Sequence, residues 1–217
     1  MMLEIRDVTK KYYRGAQEFT ALENVSLEIR KGDYTVISGP SGAGKSTLLY
    51  VAGGMIRPDS GEVRFEGRNI YDLNARGKNE YRKKNIGFVF QQFHLMPFLT
   101  VEENIRMACF EKEQCKKIIT YLEKCSLTPL KNKYPSELSV GEKQRTAFIR
   151  AIITEPEILL ADEPTGNLDP ANSDILMSLM NDFHKKGGTI LLVSHNPEAS
   201  KYAQKKIGLI KGKILSV

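Results

Sequence analysis

The chain has 217 residues, of which 41% are hydrophobic and 27% are charged, and its formal net charge is +6 at pH 7. These values are ordinary for a soluble globular protein with one sizeable core. No apolar run approaches the length of about 18 residues that a membrane span needs, which excludes an integral membrane protein. The first residues also lack the apolar core of a signal peptide. We therefore expect a cytoplasmic chain that reaches a membrane only through a partner.

The first third of the chain is predicted to be rich in strands. Residues 3–8 and 25–29 alternate apolar and polar side chains with the period of two that half-buried strands show. Residues 31–33 and 58–61 have the composition of turns, and the second turn leads into another alternating strand at residues 62–65.

A glycine-rich loop lies within this region and fits the pattern G-x-x-x-x-G-K-[S/T]: Gly39, Pro40, Ser41, Gly42, Ala43, Gly44, Lys45, Ser46 and Thr47. An apolar, strand-like run precedes the loop and a helix-like run follows it, which is the context in which this pattern binds phosphate. Backbone N–H groups would surround a polyphosphate, Lys45 would reach its β- and γ-phosphates, and the Ser46 hydroxyl would bind Mg²⁺. The loop therefore predicts binding of a nucleoside triphosphate.

The middle of the chain changes from strand-like to helix-like sequence. The densest basic run, residues 76–84, is predicted to be a solvated loop, with contact to anionic lipid or nucleic acid as the alternative. Residues 85–90 are predicted to form a short buried strand. Helices are then predicted from residue 102, over residues 111–124 and over residues 140–153. Because this helical block separates two strand-rich regions, it indicates an inserted helical subdomain at about residues 93–154.

The last third of the chain alternates strands with helices. Strands are predicted at residues 158–161, 189–193 and 206–210, with helices over residues 170–185 and from Pro197. Such alternation predicts a mostly parallel sheet that is covered by helices on both faces.

Two of these strands end in residues that suit phosphate chemistry. Asp162 and Glu163 follow one apolar strand, at the edge of a parallel sheet where ligands bind. Because side chains alternate along a strand, Asp162 can face the Mg²⁺ ion while Glu163 points to the γ-phosphate and polarises a water. His195 ends a neighbouring strand, where it can sense the γ-phosphate.

A possible second anion site lies before the predicted helix at residues 140–153. Ser139 is a plausible N-cap for that helix, and its free N–H groups could bind an anion. Physical reasoning alone does not separate this helix start from the others in the chain.

Taken together, these motifs resemble the nucleotide-binding domains of ABC ATPases. The phosphate loop, Gln91, the segment 138–142, the Ala161-Asp162-Glu163-Pro164 segment, Asp169 and His195 occur in the order and spacing of that family. The segments 87–97 and 161–169 look most like the branch that contains the lipoprotein-releasing, macrolide-exporting and cell-division ATPases. The resemblance covers nearly the whole chain. It implies one P-loop NTPase domain over residues 1–217, of α/β class, with a mostly parallel core sheet, an N-terminal antiparallel β subdomain and the inserted helices.

The resemblance also implies roles for individual residues. Tyr12, with Tyr13 as the alternative, would stack on adenine, and Gln91 would sense Mg²⁺ and the attacking water. Asp169 would cross the interface between two subunits. The signature segment would close over the γ-phosphate of a nucleotide bound by the other subunit, and it consists of Leu138, Ser139, Val140, Gly141 and Glu142.

The signature segment departs from the family pattern at two positions. Val140 replaces the first signature glycine and places a β-branched side chain near the phosphate of the other subunit. Glu142 replaces the usual glutamine, and its carboxylate could still accept a hydrogen bond from a ribose hydroxyl. We expect the valine to affect ATP-driven closure more than the glutamate does.

The function that the resemblance implies is ATP hydrolysis coupled to transport. Two copies would close head to tail around two ATP molecules with Mg²⁺ and drive a permease on a separate chain, of the lipoprotein-release or macrolide/peptide-export type. The protein would then lie peripherally on the inner face of the membrane, and no nucleic acid is expected as a partner. The alternatives are a signalling ATPase of the cell-division type and a small-molecule P-loop kinase, which would give the signature segment and His195 no role.

Overall fold

The computed structural model describes residues 1–195 and 201–215, which form two sheets with helices between and around them. The first sheet is antiparallel in the order β2-β1-β4-β5. Its strands are β1 (Leu3–Arg14), β2 (Gln17–Ile29), β4 (Ser60–Phe65) and β5 (Arg68–Asn69). This sheet contains the N-terminal strands that the alternating sequence predicts, and β1 and β2 are longer than predicted because they continue into a hairpin that ends at Arg14 and Gln17.

The second sheet has six strands in the order β10-β9-β3-β8-β7-β6. All neighbouring strands pair in parallel except β9 and β10, which are antiparallel. The strands are β3 (Tyr34–Ser38), β6 (Ile86–Val89), β7 (Ile158–Asp162), β8 (Thr189–Val193), β9 (Lys205–Ile210) and β10 (Lys213–Leu215). Every residue of β7 and β8 is buried, as expected for central strands with both faces covered.

Seven helices connect and cover these strands within the described residues. They are α1 (Lys45–Ala52), α2 (Ala75–Asn85), α3 (Val101–Arg106), α4 (Lys112–Lys116), α5 (Ile118–Lys124), α6 (Val140–Ile152) and α7 (Pro170–Lys185). Helices α3, α5 and α6 surround an apolar cluster of their own, which includes Val101, Ile118 and Ile149. The helical block between two strand-rich regions is therefore present, and its boundaries at 93 and 154 stay a prediction.

Two predictions about helices are wrong. The basic run at residues 76–84 is helix α2 rather than a solvated loop, because Asn74 caps its N-terminus by accepting a hydrogen bond from Gly77 N (2.8 Å) and Tyr81 anchors it in the core. The predicted helix over residues 111–124 is two helices, α4 and α5, which meet at Lys117. The helix predicted from Pro197 begins outside the described residues.

The parallel sheet places the ends of β3, β7 and β8 side by side. Ile37 pairs with Val193 at the ends of β3 and β8, and Asp162 pairs with the same Val193 at the end of β7. The phosphate loop, the acidic pair and His195 therefore emerge at one edge of the sheet. None of the helices in residues 1–195 and 201–215 combines the length and hydropathy needed to cross a bilayer.

Candidate active site

A cavity of about 620 Å³ lies at this edge of the parallel sheet. It gathers most of the residues that the sequence predicts for the nucleotide, together with three from strand β2 that the sequence did not single out. The lining residues are Tyr12, Phe19, Thr20, Ala21, Gly39, Pro40, Ser41, Gly42, Gly44, Lys45, Ser46, Thr47, Gln91, Glu163 and His195. Ala43 belongs to the same loop, but its side chain is buried.

The phosphate loop needs glycine at two points where the backbone passes close to neighbouring strands. Gly44 has a φ of 101°, and a Cβ atom there would lie 2.1 Å from the carbonyl oxygen of Ala21. A Cβ atom on Gly39 would lie 2.0 Å from the carbonyl oxygen of Leu209. Any other residue at these positions would force the loop away from strands β2 and β9.

Lys45 is held inside the loop by the loop's own carbonyl groups. Its Nζ donates to the carbonyl oxygens of Gly39 (2.9 Å) and Pro40 (3.0 Å) and lies 3.9 Å from Glu163 Oε1. The ammonium group is thus fixed over the N-terminus of α1, where the helix dipole also favours negative charge. This arrangement concentrates positive charge where a bound polyphosphate would lie.

Asp162 is buried at the end of β7 and accepts two hydrogen bonds from helix α1. Ser46 Oγ donates to Asp162 Oδ1 (2.9 Å), and the Tyr50 hydroxyl donates to Asp162 Oδ2 (3.1 Å). Burial raises the pKa of Asp162 above its ordinary value, and the two hydrogen bonds oppose that shift. Burial also raises the pKa of Tyr50 to about 12, so its hydroxyl remains a donor at neutral pH.

Glu163 points away from Asp162, as the alternation along the strand predicts. Its φ of 45° turns the chain immediately after β7, and its N–H donates to the Val193 carbonyl oxygen (2.9 Å). Glu163 Oε2 lies 2.8 Å from His195 Nδ1 and accepts a hydrogen bond from His195 N (3.3 Å). The carboxylate is therefore held between Lys45 and His195 at the cavity wall.

Aromatic side chains form one end of the cavity. Tyr12 on β1 stacks against Phe19 on β2, with ring centroids 5.7 Å apart and planes inclined by 26°. Tyr13 instead donates from its hydroxyl to Glu18 Oε2 (2.9 Å) and is 69% exposed. Of the two tyrosines, Tyr12 is the one that lines the cavity.

Sequence reasoning missed Tyr50 as well as the three residues of β2, of which Phe19 contributes an aromatic ring to the site. Phe19 follows no motif and is found only through the register of the β1–β2 hairpin, which pairs it with Tyr12. Tyr50 lies in the second turn of α1, between the phosphate loop and Asp162. Its spacing of four residues from Ser46 is the signal that could have placed both side chains on one face of the helix.

The signature segment and Asp169 lie outside the lining of this cavity. Ser139 caps α6: its N–H donates to Glu142 Oε2 (2.7 Å), and its Oγ accepts from Glu142 N (3.3 Å). Leu138 is buried, whereas Val140 is 43% exposed. One Glu142 oxygen is thus used within the chain, in the reciprocal pair known as a capping box.

The chain belongs to the ABC transporter family, whose sequence profile matches residues 22–166. It is 37% identical to the lipoprotein-releasing system ATP-binding protein LolD of Myxococcus xanthus, over 98% of each chain. It is 40% identical to the macrolide export ATP-binding/permease protein MacB of Chlorobium luteolum, over 99% of this chain and 33% of that protein. These similarities confirm the family that the motifs indicate.

Solved structures of the bacterial ABC transporter cassette MJ0796 are similar to this chain in fold. Its dimeric structure superposes with a TM-score of 0.93 at 35% identity, covering 99% of this chain and 97% of the other. A dimeric post-hydrolysis structure of the same cassette, bound to ADP and Pi, gives a TM-score of 0.92 at 34% identity, with the same coverage. The P-loop NTPase fold is confirmed, and this chain is an ATP-binding subunit of an ABC transporter with ATPase activity.

Proposed function

We propose that this chain hydrolyses ATP as a head-to-tail dimer and thereby drives a permease on a separate chain, of the lipoprotein-release or macrolide/peptide-export type. The observation that carries this proposal is the arrangement of Lys45, Glu163 and His195 at one edge of the parallel sheet. It supports Glu163 as the base that orients the attacking water, beside a lysine that binds the γ-phosphate. His195 positions Glu163 and contacts the γ-phosphate, and Gln91 at the end of β6 contacts the same water.

The residues around Ser46 fit a magnesium ion that is held mainly by the nucleotide. A serine hydroxyl and a buried carboxylate are hard oxygen donors, and Mg²⁺ in nucleotide sites takes one or two protein ligands beside phosphate oxygens and water. Ser46 would bind the ion and Asp162 would hold its water shell, with Gln91 as the third predicted contact. When bound, Mg²⁺ neutralises the charge that develops on the phosphate oxygens.

The position of the signature segment supports a shared site. The segment lies at the start of helix α6, and none of its residues lines the cavity of its own chain: Leu138, Ser139, Val140, Gly141 and Glu142. Asp169, at the start of α7, does not line this cavity either. A nucleotide could meet both the phosphate loop and these residues only if a second copy supplied them. The similar cassette MJ0796 was solved as a dimer, which supports two copies closing around two ATP molecules.

The similar proteins also suggest where the chain works. LolD is an ATP-binding protein of a lipoprotein-releasing system, and MacB joins an ATP-binding part to a permease for macrolide export. By analogy, the chain would lie on the inner face of the membrane, bound to its permease. Recovery of a permease with a large extracytoplasmic domain from native membranes would support transport, and recovery of a cell-division complex would support the signalling alternative.

The chemistry is tested by two substitutions, one expected to abolish ATP binding and the other expected to keep ATP binding but abolish turnover. Lys45→Ala should abolish ATP binding because the lysine contributes ground-state affinity for the phosphates. Glu163→Gln should keep ATP binding and lose turnover by about 100-fold or more, because it removes only the group that orients the water. Nucleotide binding by calorimetry and phosphate release would be measured for both variants.

Glu157→Gln is the matched control, since Glu157 lies just before the opposite end of β7. It should bind and hydrolyse ATP like the unmodified protein. Hydrolysis by Glu163→Gln at the unmodified rate would show that Glu163 is not the base.

A further inference from the structure

Asn172, in the first turn of α7, contacts the residue that caps this helix. Its backbone N–H donates to Asp169 Oδ1 (3.0 Å), and its side-chain Nδ2 donates to Asp169 Oδ2 (2.6 Å). These two bonds hold both oxygens of an otherwise exposed carboxylate, and they lower the pKa of Asp169. Asp169 therefore has a fixed orientation even though the side chain faces solvent.

The same carboxamide also accepts a hydrogen bond from helix α6. Arg145 Nη1 donates to Asn172 Oδ1 (2.6 Å), and Arg145 Nε donates to the carbonyl oxygen of Cys125 (3.1 Å) at the end of α5. Arg145 is 9% exposed, so its guanidinium depends on these partners. One asparagine side chain thus connects the start of α7 to α6 and, through Arg145, to α5.

The carboxamide of Asn172 also lies directly against the signature segment. A Cβ atom on Gly141 would be 2.2 Å from Asn172 Oδ1 and 2.4 Å from Asn172 Cγ. Only glycine at position 141 leaves room for this contact, because any side chain would displace the asparagine. The absence of a side chain at Gly141 therefore permits the first turns of α6 and α7 to meet.

We propose that Asn172 is a positioning residue that fixes Asp169 and the signature segment relative to each other, so that both meet the second subunit as one preformed surface. This inference rests on the shared-site dimer proposed above. An asparagine suits the role because its amide donates to Asp169 while its carbonyl group accepts from Arg145. Two elements that are already ordered lose less entropy when the dimer closes than two that are ordered only on contact.

The test uses Glu163→Gln as the parent protein, because its slow hydrolysis preserves the ATP-bound dimer. Asn172→Ala in that parent should weaken ATP-dependent dimerisation by about tenfold, since it removes hydrogen bonds on both sides of the contact. Sedimentation across a concentration series with saturating ATP and Mg²⁺ measures this change. The affinity of the monomer for ADP should stay unchanged, because Asn172 does not line the cavity of its own chain.

Two further variants separate positioning from a general loss of structure. Ser173→Ala alters the next residue of α7 and should dimerise like the parent. Asn172→Asp keeps the acceptor for Arg145 but places a second carboxylate against Asp169, so it should weaken the dimer while the monomer keeps its melting temperature and ADP affinity. This variant keeps the proposal falsifiable if Asn172→Ala fails to fold.

The possible outcomes distinguish this inference from the proposed function. A parent that dimerises with ATP, with both Asn172 variants dimerising equally well, would overturn the assignment of Asn172 alone. The assignment of Asn172 would also be overturned if Asn172→Asp dimerises as well as the parent while Asn172→Ala loses both dimerisation and ADP affinity. In that case Asn172 would act only by accepting the hydrogen bond from Arg145. A parent that remains monomeric in ATP would contradict the shared-site dimer and this inference with it.

Discussion

At the scale of single residues, the site depends on two adjacent carboxylates that face different partners. Asp162 bonds to Ser46 and Tyr50, and Glu163 bonds to His195. The alternation of a strand predicts this divergence, and the left-handed backbone at Glu163 completes it. The sequence could not predict the bond from Tyr50, because it depends on how closely α1 packs against β7.

Replacing Asp162 should stabilise the protein at neutral pH while it removes ATPase activity. Because the folded-state pKa of Asp162 is raised, the unmodified protein loses stability as the pH rises from the ordinary value of 3.8 through the folded-state value. Asp162→Asn does not titrate and should melt a few degrees higher at pH 7, with no difference near pH 3. Thermal unfolding without nucleotide measures this. A lower melting temperature for the variant at pH 7 would show that the two hydrogen bonds outweigh burial.

The departure from the family pattern at Val140 makes a second prediction at this scale. Val140 is 43% exposed in the first turn of α6, and in the proposed dimer this turn would face the second subunit. Val140→Gly in the Glu163→Gln protein should tighten the ATP-bound dimer by about 1 kcal/mol, or roughly fivefold to tenfold in dissociation constant. Sedimentation of both proteins with saturating ATP measures the change.

Val140→Gly should also lower the folding stability of the monomer, and this effect can be measured separately from dimerisation. Glycine in the first turn should cost the monomer about 0.5–1 kcal/mol, which urea unfolding reports. An unchanged or weaker dimer would mean that the valine is accommodated at the interface.

At the scale of elements, helices whose starts carry a capping residue are easier to predict from the sequence than helices that lack an apolar stripe. Helices α6 and α7 were predicted to within one residue because Ser139 and Asp169-Pro170 mark their starts. The sequence predicts a loop in place of helix α2 because Tyr81 is the one buried residue of this helix, so its sequence carries almost no apolar periodicity. The helix is stabilised by its N-cap and by one buried side chain, and neither produces a periodic pattern in the sequence.

The contact between α6 and α7 predicts the effect of enlarging Gly141. Gly141→Ala would place a Cβ atom 2.2 Å from Asn172 Oδ1, so either the Asn172 side chain or one of the two helices must move. The expected loss of stability is about 1–3 kcal/mol, the usual cost of overpacking, as measured by urea unfolding.

Gly208→Ala is the matched control for this substitution, since its Cβ atom would meet its nearest neighbour at an ordinary 3.5 Å. It should unfold close to the unmodified protein. Equal stability of the two variants would show that the α6–α7 contact relaxes without cost.

At the scale of the whole molecule, the parallel sheet explains why motifs far apart in sequence form one cavity. The ends of β3, β7 and β8 are neighbours, so residues near positions 45, 163 and 195 meet there. The alternation of strands with helices along the chain is sufficient to predict that ligands bind at this edge of the sheet. It could not predict that Phe19 joins Tyr12, because the register of the β1–β2 hairpin contains shifts that only the folded strands show.

The central claim is that two copies of this chain share ATP between the phosphate loop of one and the signature segment of the other. The most direct test is sedimentation of the Glu163→Gln protein without nucleotide, with ATP and Mg²⁺, and with ADP. We predict a monomer without nucleotide, a dimer with ATP and a return to monomer with ADP, because the γ-phosphate supplies the charge that both halves bind. A dimer that is indifferent to nucleotide, or a monomer at saturating ATP, would contradict the account.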